Sequence, residues 1–241
     1  MEIFINERLV KRRAALGKYG SLLGLATLAG GLIASFYPQL FYVSLGALIL
    51  GFLLSQLGSY NLQRWGRKPR ADQVLSEALK GLDRKSRLYH YYLPAAHVLV
   101  SPTGLFVFTV KPQGGKVSCE GARWRQKLSF GRVLLFFGEE GLGNPAAELQ
   151  YEMKQLAKFI FDRRPDLAKL SMRGAVVFSN PRVELNLQTP TVKVLQPKQL
   201  KAFVRGPEKA ENQKYMKPEE REALIELFDE AVAKASANKK A

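Results

Sequence analysis

Lys111 has the position most suggestive of chemistry, because it ends the apolar stretch Ala96–Lys111, which is typical of two short strands. A Ser-Pro-Thr-Gly turn at 101–104 separates runs rich in Val, Leu and Phe. If those four residues form the loop, Ala96 lies opposite Thr109, and alternation places Ala96, Thr109 and Lys111 on one face. Carboxylates at both positions would create a divalent-cation site beside the lysine. Neither residue carries one, so we expect no metal ligands there.

The surrounding elements predict a mixed α/β domain around one central sheet. Apolar residues at helical spacing predict helices over Ala71–Leu82, from Asn144-Pro145 to about Arg163, over Pro197–Val204, and over Pro218–Ala235. Short apolar runs predict strands over Ser86–Leu93, Lys116–Cys119, Arg123–Leu128, Arg132–Gly138, Arg173–Ser179 and Val192–Leu195.

The segment from Tyr19 to Gln63 has no charged residue and is long enough for two membrane-spanning helices. We place them near Gly17–Phe36 and Leu40–Tyr60, with the break at Pro38. Basic residues flank both outer ends and none lies in the connecting turn, so the positive-inside rule predicts a multi-pass cell-membrane protein with both termini cytoplasmic. A cleaved signal peptide is the competing interpretation, and the second span argues against it.

Small residues recur every four positions in each predicted span, a pattern that allows close helix approach. The two stripes are Ala26, Gly30, Ala34 and Ala47, Gly51, Ser55. We expect the spans to pack on each other, and homo-oligomerisation through these faces is the alternative.

These patterns divide the chain into five segments. They are a basic cytoplasmic N-terminus (1–16), a transmembrane hairpin (17–63), a basic juxtamembrane linker (64–71), an α/β domain (72–205), and a polar loop with an amphipathic helix and tail (206–241).

The chain is strongly basic, with 37 Lys and Arg against 21 Asp and Glu, a net charge of +16 and a pI near 10.0. Only five of those basic residues precede Gln63, so membrane topology alone does not explain the excess. The charge favours a polyanionic partner, either nucleic acid or anionic lipid headgroups. A single cysteine, Cys119, excludes an internal disulfide and a cysteine-based zinc cluster.

From about Val74 to Phe178 the chain resembles the nuclease-related domain (NERD) family, which is related to the restriction-endonuclease-like fold. Four features carry the resemblance, and each is weak when taken alone. They are a helix with Glu77, the hairpin HVLVSPTGLFVFTVK, Gly114-Gly115 followed by Trp124, and Asn144-Pro145 with Gln150 five residues beyond the proline.

The resemblance implies roles for particular residues. Lys111 matches the family's lysine, Gln150 its helix glutamine and Glu77 its first-helix acid, whereas the metal-binding Asp and Glu fall on Ala96 and Thr109. Metal-dependent phosphodiester cleavage requires a divalent ion. We therefore expect Lys111, Gln150 and Glu77 to be vestigial, and His97, on the opposite strand face, to be no substitute ligand.

Three functions remain open from the sequence. The first is a binding module without a cofactor, contacting nucleic acid or another polyanion at the cytoplasmic membrane face, with Lys111, Lys154 and Lys158 as the candidate contacts. The second is an active Mg²⁺-dependent nuclease whose carboxylate ligands have moved, to Glu77, Glu120 or Glu148. The third is a membrane scaffold that binds anionic lipid or a protein.

Overall fold

The computed structural model describes residues 1–127, 141–167, 170–206 and 216–237. These divide into two compact units, one containing residues 7–70 and the other containing residues 1–6, 71–127 and the described residues from Leu142 onward. The predicted strand Arg132–Gly138, the last residue of the predicted strand Arg123–Leu128 and most of the predicted polar loop after Gly206 lie outside the described residues.

The unit of residues 7–70 is built from two antiparallel helices, α1 (Glu7–Ala34) and α2 (Phe41–Asn61). A short 3₁₀ turn, Pro38–Leu40, joins them at the predicted break. Both helical segments are long and apolar enough to cross a membrane, judged by length and composition.

Small residues spaced seven apart form the contact between the two helices. The buried positions are Gly17, Gly24 and Gly31 on α1 and Ser44, Gly51 and Gly58 on α2. A Cβ added at Gly24 would lie 2.4 Å from the backbone nitrogen of Ser55, so the backbones touch where side chains are absent. The Ser44 hydroxyl donates a 2.8 Å hydrogen bond to the carbonyl oxygen of Gly31. A seven-residue period keeps such a seam facing its partner over many turns.

This seam confirms that the two helices pack on each other but corrects the predicted stripe on the first. Apart from the neighbouring backbone of its own helix, a Cβ at Gly30 would have no atom within 4 Å, and Ala26 is exposed. On the second helix, Gly51 is buried and the Ala47 methyl group lies 3.0 Å from a Cβ placed at Gly31. Homo-oligomerisation through the predicted small-residue stripes stays a prediction.

The other unit contains a six-stranded mixed sheet. Each strand of this sheet is hydrogen-bonded to the next in the following order: β1 (Glu2–Ile5), β2 (Arg87–His90), β3 (His97–Ser101), β4 (Gly104–Lys111), β7 (Met172–Phe178) and β9 (Lys193–Leu195). The β2–β3 and β3–β4 pairs are antiparallel, whereas β1–β2, β4–β7 and β7–β9 are parallel.

Helices cover both faces of this sheet, which confirms the mixed α/β prediction. On one face lie α3 (Ala71–Leu79) and α5 (Leu200–Arg205), with Leu75 and Phe106 in their shared core. On the other lie α4 (Pro145–Phe161) and α6 (Pro218–Ala237), whose core includes Leu149 and Val107. Asn144 caps α4 as predicted, its side-chain oxygen accepting from the Ala147 amide at 3.1 Å.

A second, three-stranded sheet joins the unit on the α4 side, which corrects the prediction of one central sheet. It contains β5 (Gly115–Glu120), β6 (Arg123–Lys127) and β8 (Val183–Gln188) in the order β6-β5-β8. Its inner face contributes Val117 to the core and stacks Trp124 on Phe178, with ring centroids 6.1 Å apart.

Two elements make the compact unit wider than the predicted domain 72–205. Strand β1, from the predicted basic N-terminus, pairs in parallel with β2. Helix α6, assigned to the C-terminal segment, buries Leu224 and Phe228 in the core. The Asp229 carboxylate of α6 also accepts hydrogen bonds from the Arg87 guanidinium and, at 2.8 Å, from the Tyr89 hydroxyl.

Candidate functional site

The β3–β4 hairpin has the register predicted from its turn. Val98 pairs with Val107 and Val100 with Leu105, and Ser101 faces Gly104, which adopts a φ of +138°. Ala96 lies just before β3, so continuing this register places it across from Thr109. Side-chain alternation then directs Thr109 and Lys111 toward the face covered by α4.

Helix α4 brings two carboxylates to this face. The Lys111 ammonium lies 2.7 Å from Oε2 and 2.8 Å from Oε1 of Glu148. The Thr109 hydroxyl donates a 2.9 Å hydrogen bond to Oε2 of Glu152. The two glutamates are four residues apart and therefore lie on the same side of the helix, one turn from each other.

The Lys111 ammonium is satisfied within the protein. Lys111 is 3% exposed and Thr109 6%, whereas the Glu148 side chain is 45% exposed. An ammonium taken out of water costs several kcal/mol unless a counter-charge is present. The pair with Glu148 supplies that counter-charge, so the lysine is a buried partner of an acid rather than an open phosphate contact.

The positions that the resemblance assigns to metal ligands do not fit a divalent cation. The Ala96 side chain has no atom that could bind a metal, and the Thr109 hydroxyl donates its hydrogen bond to Glu152. Mg²⁺ prefers carboxylate oxygens, and the two nearest carboxylates are engaged with Lys111 and Thr109. Within the described parts of the chain, no three His, Cys, Asp or Glu side chains are grouped to hold a metal.

Of the remaining predicted residues, Glu77, Gln150 and Glu120 lie away from Lys111. Glu77 is exposed on α3, across the sheet, and its carboxylate is 3.8 Å from the ammonium of Lys80. Gln150 is exposed on α4, about half a turn around the helix from Glu148. Among the proposed relocated acids, Glu148 contacts Lys111, whereas Glu120 ends β5 with its side chain exposed.

Lys154 and Lys158 are exposed on α4, away from its buried stripe. The described part of the chain gives neither lysine an ion-pair partner. Both side chains are therefore open to solvent, and their contact with nucleic acid stays a prediction.

Glu152 is a site residue that sequence reasoning missed. Its signal was the four-residue spacing from Glu148 on a predicted helix, which places two acids on one side. Recognising its contact with Thr109 also requires the rotation of α4 against the hairpin, and the sequence does not give that rotation.

A second polar cluster lies on the α3 face of the sheet. The Nδ1 atoms of His90 and His97 are 2.8 Å apart, and the Ser76 hydroxyl of α3 lies 3.1 Å from Nε2 of His90. Both histidines are buried. His97 therefore points away from Thr109, as predicted.

Residues 69–179 match the family model of the nuclease-related domain. Searches of curated proteins and of solved structures found no match. The matched span begins before α3 and ends after β7, so it includes Glu77, Lys111, Gln150 and the acids of α4. It also agrees closely with the resemblance from Val74 to Phe178. Over residues 69–179 the chain is therefore similar to the nuclease-related domain (NERD) family.

Proposed function

We propose that this protein is a membrane-anchored nuclease-related domain that binds nucleic acid and does not perform metal-dependent cleavage. The observation that carries the proposal is the burial and ion pairing of Lys111, the residue that matches the family's lysine. Lys111 is buried against Glu148, while Ala96 and Thr109 stand where the resemblance places metal-binding acids. Because Glu148 neutralises the Lys111 ammonium, the site has little positive charge left to attract a metal-bound phosphate.

Nucleic acid binding is supported by charge outside that site. The net charge of +16 resides mainly after Gln63, and Lys154 and Lys158 expose their ammonium groups on α4. Phosphate contacts by such residues supply the sequence-independent part of nucleic acid affinity. Because Lys111 is paired, we assign the contact to exposed cations such as these.

Membrane anchoring is supported by the composition of α1 and α2. Large apolar side chains along both helices are exposed, among them Leu22, Leu25, Ile49 and Leu53. Lipid would cover these surfaces, and basic residues at both outer ends of the pair would keep both termini in the cytoplasm. The nuclease-related domain would then lie at the cytoplasmic face of the membrane.

The alternative function is an active nuclease with relocated ligands, and one observation favours it. Glu148 and Glu152 present two carboxylates beside Lys111 and Thr109. One or two carboxylates with several waters can bind Mg²⁺. Such a cation would have to displace the Lys111 ammonium from Glu148, because both positive charges would occupy the same place.

Binding is tested with the full chain in neutral detergent, titrated into labelled single-stranded DNA or RNA while fluorescence anisotropy is measured. We expect binding at low salt that weakens steeply and log-linearly as salt increases. Undetectable binding of both probes at low salt would contradict the proposed function.

A further inference from the structure

We infer that the outer face of the three-stranded sheet β6-β5-β8 is the surface that contacts the phosphate backbone of nucleic acid. This inference rests on the proposed function, because it assigns a location to binding that the proposal leaves distributed. It does not use Lys111 or the acids of α4.

The strand register places one set of polar side chains on this face. In β5 and β6, Lys116 pairs with Lys127, Ser118 with Arg125 and Glu120 with Arg123. In β5 and β8, the same three β5 residues pair with Glu184, Asn186 and Gln188. Directly paired residues share a face, so all nine of these side chains point outward while Val117, Cys119 and Trp124 point inward.

Most of the cations on this face have no ion-pair partner among the described residues, although Glu120 lies directly opposite Arg123. Arg123, Arg125 and Lys127 alternate along β6, are exposed, and make no ion pair within the described parts of the chain. Lys127 also lies directly opposite Lys116, and like charges in opposed positions destabilise a sheet. Lys116 is 3.7 Å from Glu184, but both side chains are 70% exposed, so this pair is weak. An external anion would relieve the repulsion.

The chemistry of the face favours a phosphodiester backbone as that anion. Alternate residues of a strand are about 7 Å apart, so Arg123, Arg125 and Lys127 form a row of cations along one line. Arginine can bind a phosphate through two parallel hydrogen bonds. Ser118 and Asn186, in the neighbouring strands, add uncharged groups able to hydrogen-bond to phosphate or sugar.

The same face is less suited to a lipid surface. Among its described residues none is a large exposed apolar side chain, so it offers nothing to insert between headgroups. A row of cations without apolar side chains suits a partner that carries a line of negative charges and makes polar contacts, as a phosphodiester backbone does. Contacts of this kind position a nucleic acid without reading its sequence.

The test compares two charge-matched variants of the full chain in neutral detergent, with single-stranded DNA and RNA as separate probes. The first combines Arg123→Gln, Arg125→Gln and Lys127→Gln. The control combines Arg84→Gln, Lys85→Gln and Lys198→Gln, which removes three exposed cations from other parts of the same unit.

We expect the β6 variant to bind about tenfold more weakly or worse, and its slope of log affinity against log salt to decrease by about 2. The control should retain most of its affinity and slope. Equal behaviour of the two variants, while the unaltered chain binds, would overturn this inference and leave the proposed function standing. No binding by the unaltered chain would overturn both.

Two further outcomes would also count against the inference. Charges on an edge strand prevent other strands from pairing with it. If that is the only role of these cations, the β6 variant will aggregate, and its soluble fraction will keep full affinity for the oligonucleotides. A variant that keeps its oligonucleotide affinity but loses binding to vesicles of anionic phospholipid would assign the face to lipid instead.

Discussion

The ammonium nitrogen of Lys111 lies 2.7 Å from a carboxylate oxygen of Glu148, and this pair closes the end of β4 against α4. One turn along the same helix, Glu152 accepts the hydrogen bond of Thr109. The two acids thus satisfy the two polar residues of the hairpin face. These two contacts link α4 to β4 at the place where the resemblance positions a metal.

Removing the acid from this pair should destabilise the protein. In Glu148→Gln the buried Lys111 ammonium loses its counter-charge, and we expect the free energy of unfolding to fall by about 1–3 kcal/mol. Denaturant titration followed by tryptophan fluorescence measures the change. Glu77→Gln is the matched control, since its pair with Lys80 is exposed and should contribute less than about 1 kcal/mol. Adding Lys111→Met to Glu148→Gln should recover most of the loss, and a double variant no more stable than the single one would contradict the pairing.

Bulk at the helix seam should separate α1 from α2. A leucine at Gly24 would place its Cβ 2.4 Å from the Ser55 backbone nitrogen, so Gly24→Leu should cost about 1–3 kcal/mol or more through overpacking. Thermal unfolding in detergent and sensitivity to added protease report the loss. Gly30→Leu adds the same side chain where nothing lies within 4 Å and should be tolerated. Equal melting temperatures for the two variants would mean that the seam is not as described.

The Tyr89 hydroxyl should make stability depend on alkaline pH. Burial raises the pKa of Tyr89, and its hydrogen bond to the Asp229 carboxylate raises it further. The unfolded chain would ionise this phenol near pH 10 while the folded chain keeps it protonated. The stabilisation is therefore complete below about pH 10 and is lost as the pH rises above it. Tyr89→Phe, measured by denaturant titration across this range, should show a shallower decline, and an unchanged profile would argue against the contact.

The single thiol should report the inner face of the three-stranded sheet. Burial raises the pKa of Cys119, and its thiol lies 3.2 Å from the carbonyl oxygen of Gly121. We expect maleimide labelling at neutral pH to be slow in the folded protein and fast after denaturation. Arg125→Cys, combined with Cys119→Ala, moves the thiol to the outer face and should label rapidly without denaturant. Comparable rates for the two thiols in the folded state would show that the assignment of faces is wrong.

The hairpin was predictable because its signals are local. Strand-favouring residues, a Pro-containing turn and a glycine with positive φ fixed the register from Val98–Val107 to Ser101–Gly104 without tertiary information. The start of α4 was equally local, since Asn144 and Pro145 form an N-cap and a first helical residue.

The elements that prediction missed depend on contacts distant in sequence. Strand β1 has four residues and becomes a strand by pairing in parallel with β2, more than 80 positions away. Strand β8, which is also missing from the predicted strands, alternates apolar and polar residues over Val183–Gln188, a pattern typical of a half-buried strand. The contact of Glu152 with Thr109 depends on how α4 is rotated, and periodicity alone does not define that rotation.

The helix seam shows how a correct principle can select the wrong residues. A spacing of four between small residues selects Gly30, which faces away from α2. A spacing of seven identifies Gly17, Gly24 and Gly31, and the same spacing relates Ser44, Gly51 and Gly58. The longer period follows the seam of two long helices because it is close to two full turns.

The most direct test of the proposed function is a cleavage assay of the unaltered full chain with single-stranded and duplex DNA and with RNA, in Mg²⁺ and in Mn²⁺. We expect the chain to bind these substrates and to leave them intact. The variant combining Ala96→Asp and Thr109→Glu restores the two acids implied by the resemblance and serves as the comparison, in which a gain of metal-dependent cleavage would strengthen the account. Metal-dependent cleavage by the unaltered chain, abolished by Glu148→Gln, would contradict it and establish the nuclease with relocated ligands.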